Sequence, residues 1–292
     1  MNVMRFRKLL TVTIAVLMAM CVPAFAFAEP LDGGTDTYNG ELPELQNAIA
    51  KQAINCAYAP GTSRSVYRYH GGSPKPAYKA ALSQAYGSRS GWSKQTRAGA
   101  SCDVFVGTVV RTSGYDTNFP RALAKDLKYL PSSSKFKKVK LSSVSELEPG
   151  DIFFYLRHGG GGHISVYVEI GGVGYIANAH YSGGGAYGCI DQKAKSVSGS
   201  GYKMFAIYRA TEDCTAPFSR GDESEEVAKI QDFLKWSGYL EGESDGKYGK
   251  NTVKAVKAFQ KDAGLEVTGE FGADSLEAIS SYTKDAAGTN KE

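Results

Sequence analysis

The hydrophobic period of this chain changes at Glu148-Pro149-Gly150-Asp151. Before that turn signal, apolar residues recur at helical spacing: Leu45, Ala48, Ile49, Ala53 and Ile54 behind Pro43, then a run following Cys102, then Phe119–Leu130. After it they alternate as in strands, over Ile152–Leu156, His163–Ile170, Gly174–Ala179 and Tyr202–Arg209. Past Thr211 helical spacing returns, first with Val227, Ile230, Phe233 and Leu234, then Val253, Val256 and Phe259, then Leu276 and Ile279. Helices, then strands, then helices predict an α+β domain followed by a small three-helix domain.

Local signals set the expected boundaries. The first helix is predicted over Pro43–Ala57 and ends at Pro60-Gly61, with Pro43 in its first turn, where a missing N–H costs nothing. Residues 63–98 read as a loop with a short helix near Tyr78–Tyr86. The next helix spans Cys102–Ser113 with Gly114 as its C-cap, and another ends at Leu130, before Pro131. Phe136–Leu141 alternates like an edge strand. Asp222 and Ser224 are candidate caps for the first C-terminal helix.

At the N-terminus, Arg5, Arg7 and Lys8 precede an apolar run that closes on Ala26-Phe27-Ala28. That pattern predicts a secretory signal over residues 1–28 and an exported protein with no membrane partner after cleavage. Residues 29–41 are expected to be a flexible lead-in and 211–219 a linker, with a polar tail at 285–292. The net charge is +4, but residues 218–284 hold 9 basic and 13 acidic side chains, so the excess of positive charge lies upstream. No Lys/Arg-rich run carries interleaved aromatics, and no nucleic-acid partner is expected. Cys56, Cys102, Cys189 and Cys214 lie beyond the leader. An oxidising compartment predicts disulfides among them; if Cys102 must stay free, at most one bridge forms among the other three.

Cys102 falls in the first turn of its helix, where unsatisfied N–H groups and the helix dipole favour thiolate over thiol. His163 opens a strand. A Cys at a helix start and a His at a strand start are what a cysteine hydrolase needs. If Gly171-Gly172 makes a two-residue hairpin turn, His163 faces His180, and Asn178 lies on the same strand face as His180. Tyr58 is a candidate oxyanion donor or a packing residue, and His70 and His158 read as loop residues. The four histidines lack paired-Cys or HExxH spacing, so neither a metal nor another cofactor is expected. The Gly159–Gly162 run lacks a following Lys-Ser/Thr and leads into a strand, which excludes a phosphate loop.

Four stretches together resemble NlpC-type cell-wall peptidases, which are papain-like cysteine hydrolases. They are Ser101–Val106, Leu147–Phe154, Gly162–Val168 and Ile176–Ala179. The resemblance implies a papain-like domain over residues 42–210, Cys102 as nucleophile and His163 as base. By motif Asn178 orients the imidazole, with His180 as the alternative from hairpin register. The family usually has Asp before the Cys and Ser after it; here these are Ser101 and Asp103, which weakens transfer of the family's bond preference. Residues 220–284 resemble the peptidoglycan-binding domain type 1 family, through Gly221-Asp222, Ile230-Gln231, Gly238-Tyr239-Leu240, Asp245–Gly249, Phe259-Gln260 and Val267-Thr268-Gly269. Together the two resemblances imply a secreted, wall-associated peptidoglycan hydrolase. Stem peptides would enter the cleft and the C-terminal module would hold wall polymer. An N-acetylmuramoyl-L-alanine amidase using the same dyad and a catalytically inactive wall-binding protein remain the alternatives.

Overall fold

The computed structural model describes residues 38–69, 71–87, 100–120, 123–180, 186–211, 214–280 and residue 282. The leader 1–28, most of the lead-in, His70 and the tail 285–292 lie outside the described residues. Within them the chain is mixed helix and sheet, followed by a helical C-terminal module. No helix among the described residues is long and apolar enough to cross a membrane.

Strand β1 (Gln46–Asn47) leads into α1 (Ala48–Cys56), α2 (Arg64–Tyr67), α3 (Pro76–Tyr86), α4 (Cys102–Thr112) and α5 (Leu123–Ser132). Six strands follow: β2 (Phe136–Val139), β3 (Ile152–Leu156), β4 (Gly162–Ile170), β5 (Val173–His180), β6 (Ala186–Lys193) and β7 (Met204–Ala210). They form one antiparallel sheet in the order β2-β7-β3-β4-β5-β6, with β2 at one edge as its alternation predicts. One sheet face carries Phe154, Ile164, Val166, Val168 and Ala177 into a core shared with Ile49, Ala53, Phe105 and Val109 of the helices. The other face carries a smaller apolar cluster around Phe153, Tyr167 and Ile207. This split follows from the period of two along each strand.

Asp151, in the turn where the period changes, is buried and held by a two-pronged contact from Arg209 of β7, with both N···O distances at 2.7 Å. Its Oδ2 also accepts from the Glu148 N–H at 2.9 Å. That carboxylate therefore shapes the turn and fixes it to the sheet.

The structure departs from the sequence expectations at several boundaries. Residues 43–47 are not helical. Gln46 and Asn47 pair with β8 (Thr215–Ala216), and Asn47 caps α1 by accepting from the Ala50 N–H at 3.1 Å. Pro131 lies inside α5, in its last turn, where only one bond is lost and the Ser133 N–H still reaches the Tyr129 carbonyl at 2.8 Å. Strand β6 was not anticipated, because a glycine run precedes it and masks its short alternation. Cys56, Cys102, Cys189 and Cys214 are all free thiols, so the expected bridge is absent. Cys56 and Cys214 pack in the main core as small apolar side chains, and Cys189 lies in a separate cluster with Tyr67 and Ala186.

The C-terminal module comprises α6 (Glu225–Trp236), α7 (Lys250–Asp262) and α8 (Ala273–Ser280) around Val227, Phe233, Leu234, Val256, Phe259 and Phe271. Ser224 caps α6 by accepting from the Val227 N–H. The described parts of the expected lead-in and linker are engaged. Tyr38 packs edge-on to Phe233 at 5.4 Å between ring centres. Phe218 is fully buried, and Lys51 of α1 bonds Asp222 at 2.6 Å.

Candidate functional site

Helix α4 begins at Cys102 with Ser101 in the cap position. The Ser101 hydroxyl donates to the Asp103 carboxylate instead of accepting from the helix's first N–H groups. Val104 to Val110 are buried, which fixes the helix against α1, α3 and β4 and brings its start to the start of that strand. Cys102 is half-buried, and the backbone N–H groups of Ile164 and Asp103 face its sulfur. The nucleophile predicted from sequence therefore lies beside β4, one residue past His163.

His163 pairs across the ladder with Tyr155, whose ring centre is 5.6 Å from the imidazole. Tyr155 in turn stacks near Tyr202, at 4.4 Å. Hairpin register holds as expected, with Ile170 opposite Val173, but the β4–β5 ladder stops at Val166 opposite Ala177. Beyond that point β5 pairs with β6, with a register shift between Asn178 and His180. Asn178 is buried, and its amide donates to Asp191 Oδ1 at 3.3 Å. His180 Nε2 is 3.4 Å from Asp191 Oδ2. The two candidates for the third residue thus converge on Asp191, a residue that sequence reasoning missed because it lies on the unanticipated strand. Tyr58 stacks on Tyr67 at 5.9 Å between ring centres and packs against the Cys189 cluster.

Electrostatically the site favours neutral groups. Burial pushes the Cys102 thiol up to about 11, against the two backbone donors that favour thiolate and with Asp103 and Asp126 adding to the rise. Burial also lowers the His163 imidazole to about 4, helped by His180 and Arg157 and opposed by Asp191. The sequence expectation that the helix start would favour thiolate is corrected here. Desolvation of a buried thiol outweighs a partial dipole charge. Asp126 of α5 is fully buried, and neither carboxylate oxygen has a hydrogen-bond partner. Burial, with Asp103 nearby, raises it to about 8, so it carries a proton at neutral pH.

The C-terminal module is built differently. Gln231 donates its amide N–H groups to Asp245 Oδ1 at 2.8 Å and to the Lys247 carbonyl at 3.0 Å, and its oxygen accepts from the Gly246 N–H at 2.8 Å. Gln260 repeats this with the Glu270 carbonyl and the Gly269 N–H, both at 2.8 Å. Gly246 and Gly269 have φ of 70° and 80°, a conformation that favours glycine. The module is therefore an internal repeat. Its sequence signal, Gly246-Lys-Tyr-Gly249 against Gly269-Glu-Phe-Gly272, was available but not singled out. A groove of about 510 Å³ opens at the first repeat's turn, lined by Gln231, Asp245, Lys247, Asn251 and Thr252 among others.

Residues 223–279 match the family model of the putative peptidoglycan binding domain. Among solved structures, the crystal structure of the SleB N-terminal domain is 33% identical to this chain, covering 23% of this chain and 90% of that one, with a TM-score of 0.22. No curated protein matches the chain. The family match thus falls on the C-terminal helical repeat, which resembles a putative peptidoglycan binding domain.

Proposed function

We propose that the chain is a cell-wall-associated cysteine hydrolase of papain-like, NlpC type, held on peptidoglycan by its C-terminal module and cutting amide bonds of the stem peptide. The observation that carries this reading is the position of Cys102, a free thiol at a helix start whose sulfur faces the Ile164 N–H, next to His163. In the proposed reaction the resting pair is neutral. His163 takes the Cys102 proton as the sulfur attacks the carbonyl, then gives it to the leaving amine, and water releases the acyl group. The N–H groups at the start of α4 supply the oxyanion donors. Asp191 anchors the neighbouring Asn178 and His180 and favours the imidazolium that forms transiently. Tethering to an insoluble polymer raises the local concentration of scissile bonds.

One arrangement favours a second reading, that of a catalytically inactive wall-binding protein. The hydrogen-bond partners of the sulfur are backbone groups rather than the imidazole. Digestion of purified peptidoglycan by the chain and by Cys102→Ala, with mass spectrometry of the products, separates the readings. Shortened stem peptides that vanish with Cys102→Ala are expected. Free glycan strands with intact stems would make the enzyme an amidase instead. Absence of any product, with wall binding retained, would leave only the binding function.

A further inference from the structure

We propose that His180, Cys189 and Asp191 form a binding site for a divalent transition-metal ion of the zinc class, built across β5 and β6. One ligand atom from each of the three side chains lies within 4.8 Å of the other two. The sheet explains the convergence. Two register shifts break the β5–β6 ladder here: Asp191 is left without a ladder partner between Ile190 and Gln192, and the shift between Asn178 and His180 brings His180 of β5 alongside Cys189 and Asp191.

The donor set selects the metal. One imidazole, one thiol and one carboxylate suit zinc and its neighbours, whereas calcium and magnesium require oxygen ligands. Tetrahedral zinc with these donors places ligand atoms about 3.3–3.6 Å apart, so closure asks for a contraction of about 1 Å, within the reach of side-chain rotation. His180 Nε2 and Asp191 Oδ2 are already 3.4 Å apart. Outside the ligands, the Asn178 amide donates to the second oxygen of Asp191. That bond leaves Oδ2 for the ion and fixes the carboxylate plane, as outer partners do in metal sites. Cys189 is buried while Asp191 is exposed, so the ion enters from the carboxylate side and its fourth position faces solvent. On binding, a sulfur–metal bond replaces the S–H bond of Cys189 and the proton leaves to water, with no change of oxidation state. The bound ion sets a positive charge near His163, whose imidazole senses both His180 and Asp191.

The test uses the whole chain with Cys102→Ser, which removes the one cysteine among the described residues that is not buried. Competition with a chromophoric chelator should show one Zn2+ per chain at micromolar affinity or tighter. His180→Ala and Asp191→Asn, both at partly exposed positions, should each weaken binding at least ~10-fold. With Co2+, a sulfur-to-cobalt charge-transfer band should appear and be lost on further Cys189→Ser substitution, with circular dichroism verifying that the variant is folded. Lack of stoichiometric zinc uptake, or uptake unchanged by both His180→Ala and Asp191→Asn, would overturn the proposal. Neither result depends on hydrolase activity.

Discussion

Gln231 and Asp126 are both buried polar side chains, one in each region of the molecule, and their surroundings differ in kind. Each polar atom of the Gln231 amide is bonded, to a turn that its own glycine makes possible, and Gln260 repeats the arrangement. Around Cys102 the satisfaction is incomplete. Asp126 has no hydrogen-bond partner, and the thiol and imidazole are driven to their neutral forms. A satisfied buried network holds a shape, while an unsatisfied one stores free energy that evolution keeps only for a reason. The C-terminal module thus reads as scaffold for a surface groove, and the α4 start as the place where the proposed chemistry would act.

Thiol reactivity tests this contrast most sharply. A Cys102 thiol near 11 should react with iodoacetamide at neutral pH roughly a hundredfold or more slowly than free cysteine, whose thiol titrates near ~8.5, and should accelerate up to about pH 11. A fast reaction that persists at pH 6 would mean a thiolate–imidazolium pair and would end the neutral-pair description.

Asp126 offers the next largest effect. Its folded value, about 8, lies above that of an unfolded carboxyl, about 3.9, so the folded state holds a proton that the unfolded chain has released. Stability from this group is fully present below about pH 4 and is lost as pH rises to about 8. His163 works in the opposite sense, since its lowered value removes stability as pH falls from about 6.5 to about 4. Denaturation of the chain and of Asp126→Asn at pH 7 and pH 8.5 should give a smaller loss in the variant. Equal losses would show that Asp126 finds a partner in solution.

Gln231→Ala carries the smallest effect. It leaves the Gly246 N–H and the Lys247 carbonyl without their partner and should cost about 1–3 kcal/mol in urea unfolding. Pull-down on peptidoglycan should weaken with it, because the turn lines the groove. Unchanged stability would remove the claim that the glutamine staples hold the module.

Local signals made much of this legible. Cys102 opens α4 because the apolar period that follows it is a property of adjacent residues, and strand β3 lies where the sequence pattern put it. The helical C-terminal module was likewise readable, since its apolar spacing and glycine punctuation are short-range. What failed were the features set at long range. Residues 46–47 became a strand because residues 215–216 lie beside them, and Tyr38 left the expected flexible segment for an aromatic cluster some two hundred residues downstream. Strand β6 went unseen, and with it Asp191 and the surroundings of Cys189.

The sequence alone determined where the main helices and strands β2 to β5 and β7 fall and put a cysteine at a helix start, because backbone periodicity acts within a few residues. Tertiary structure alone decided that the thiol and imidazole rest neutral, that Asp191 gathers Asn178 and His180, and that the chain ends of the two regions are paired. Desolvation and cross-strand contact depend on neighbours that no local stretch of sequence contains.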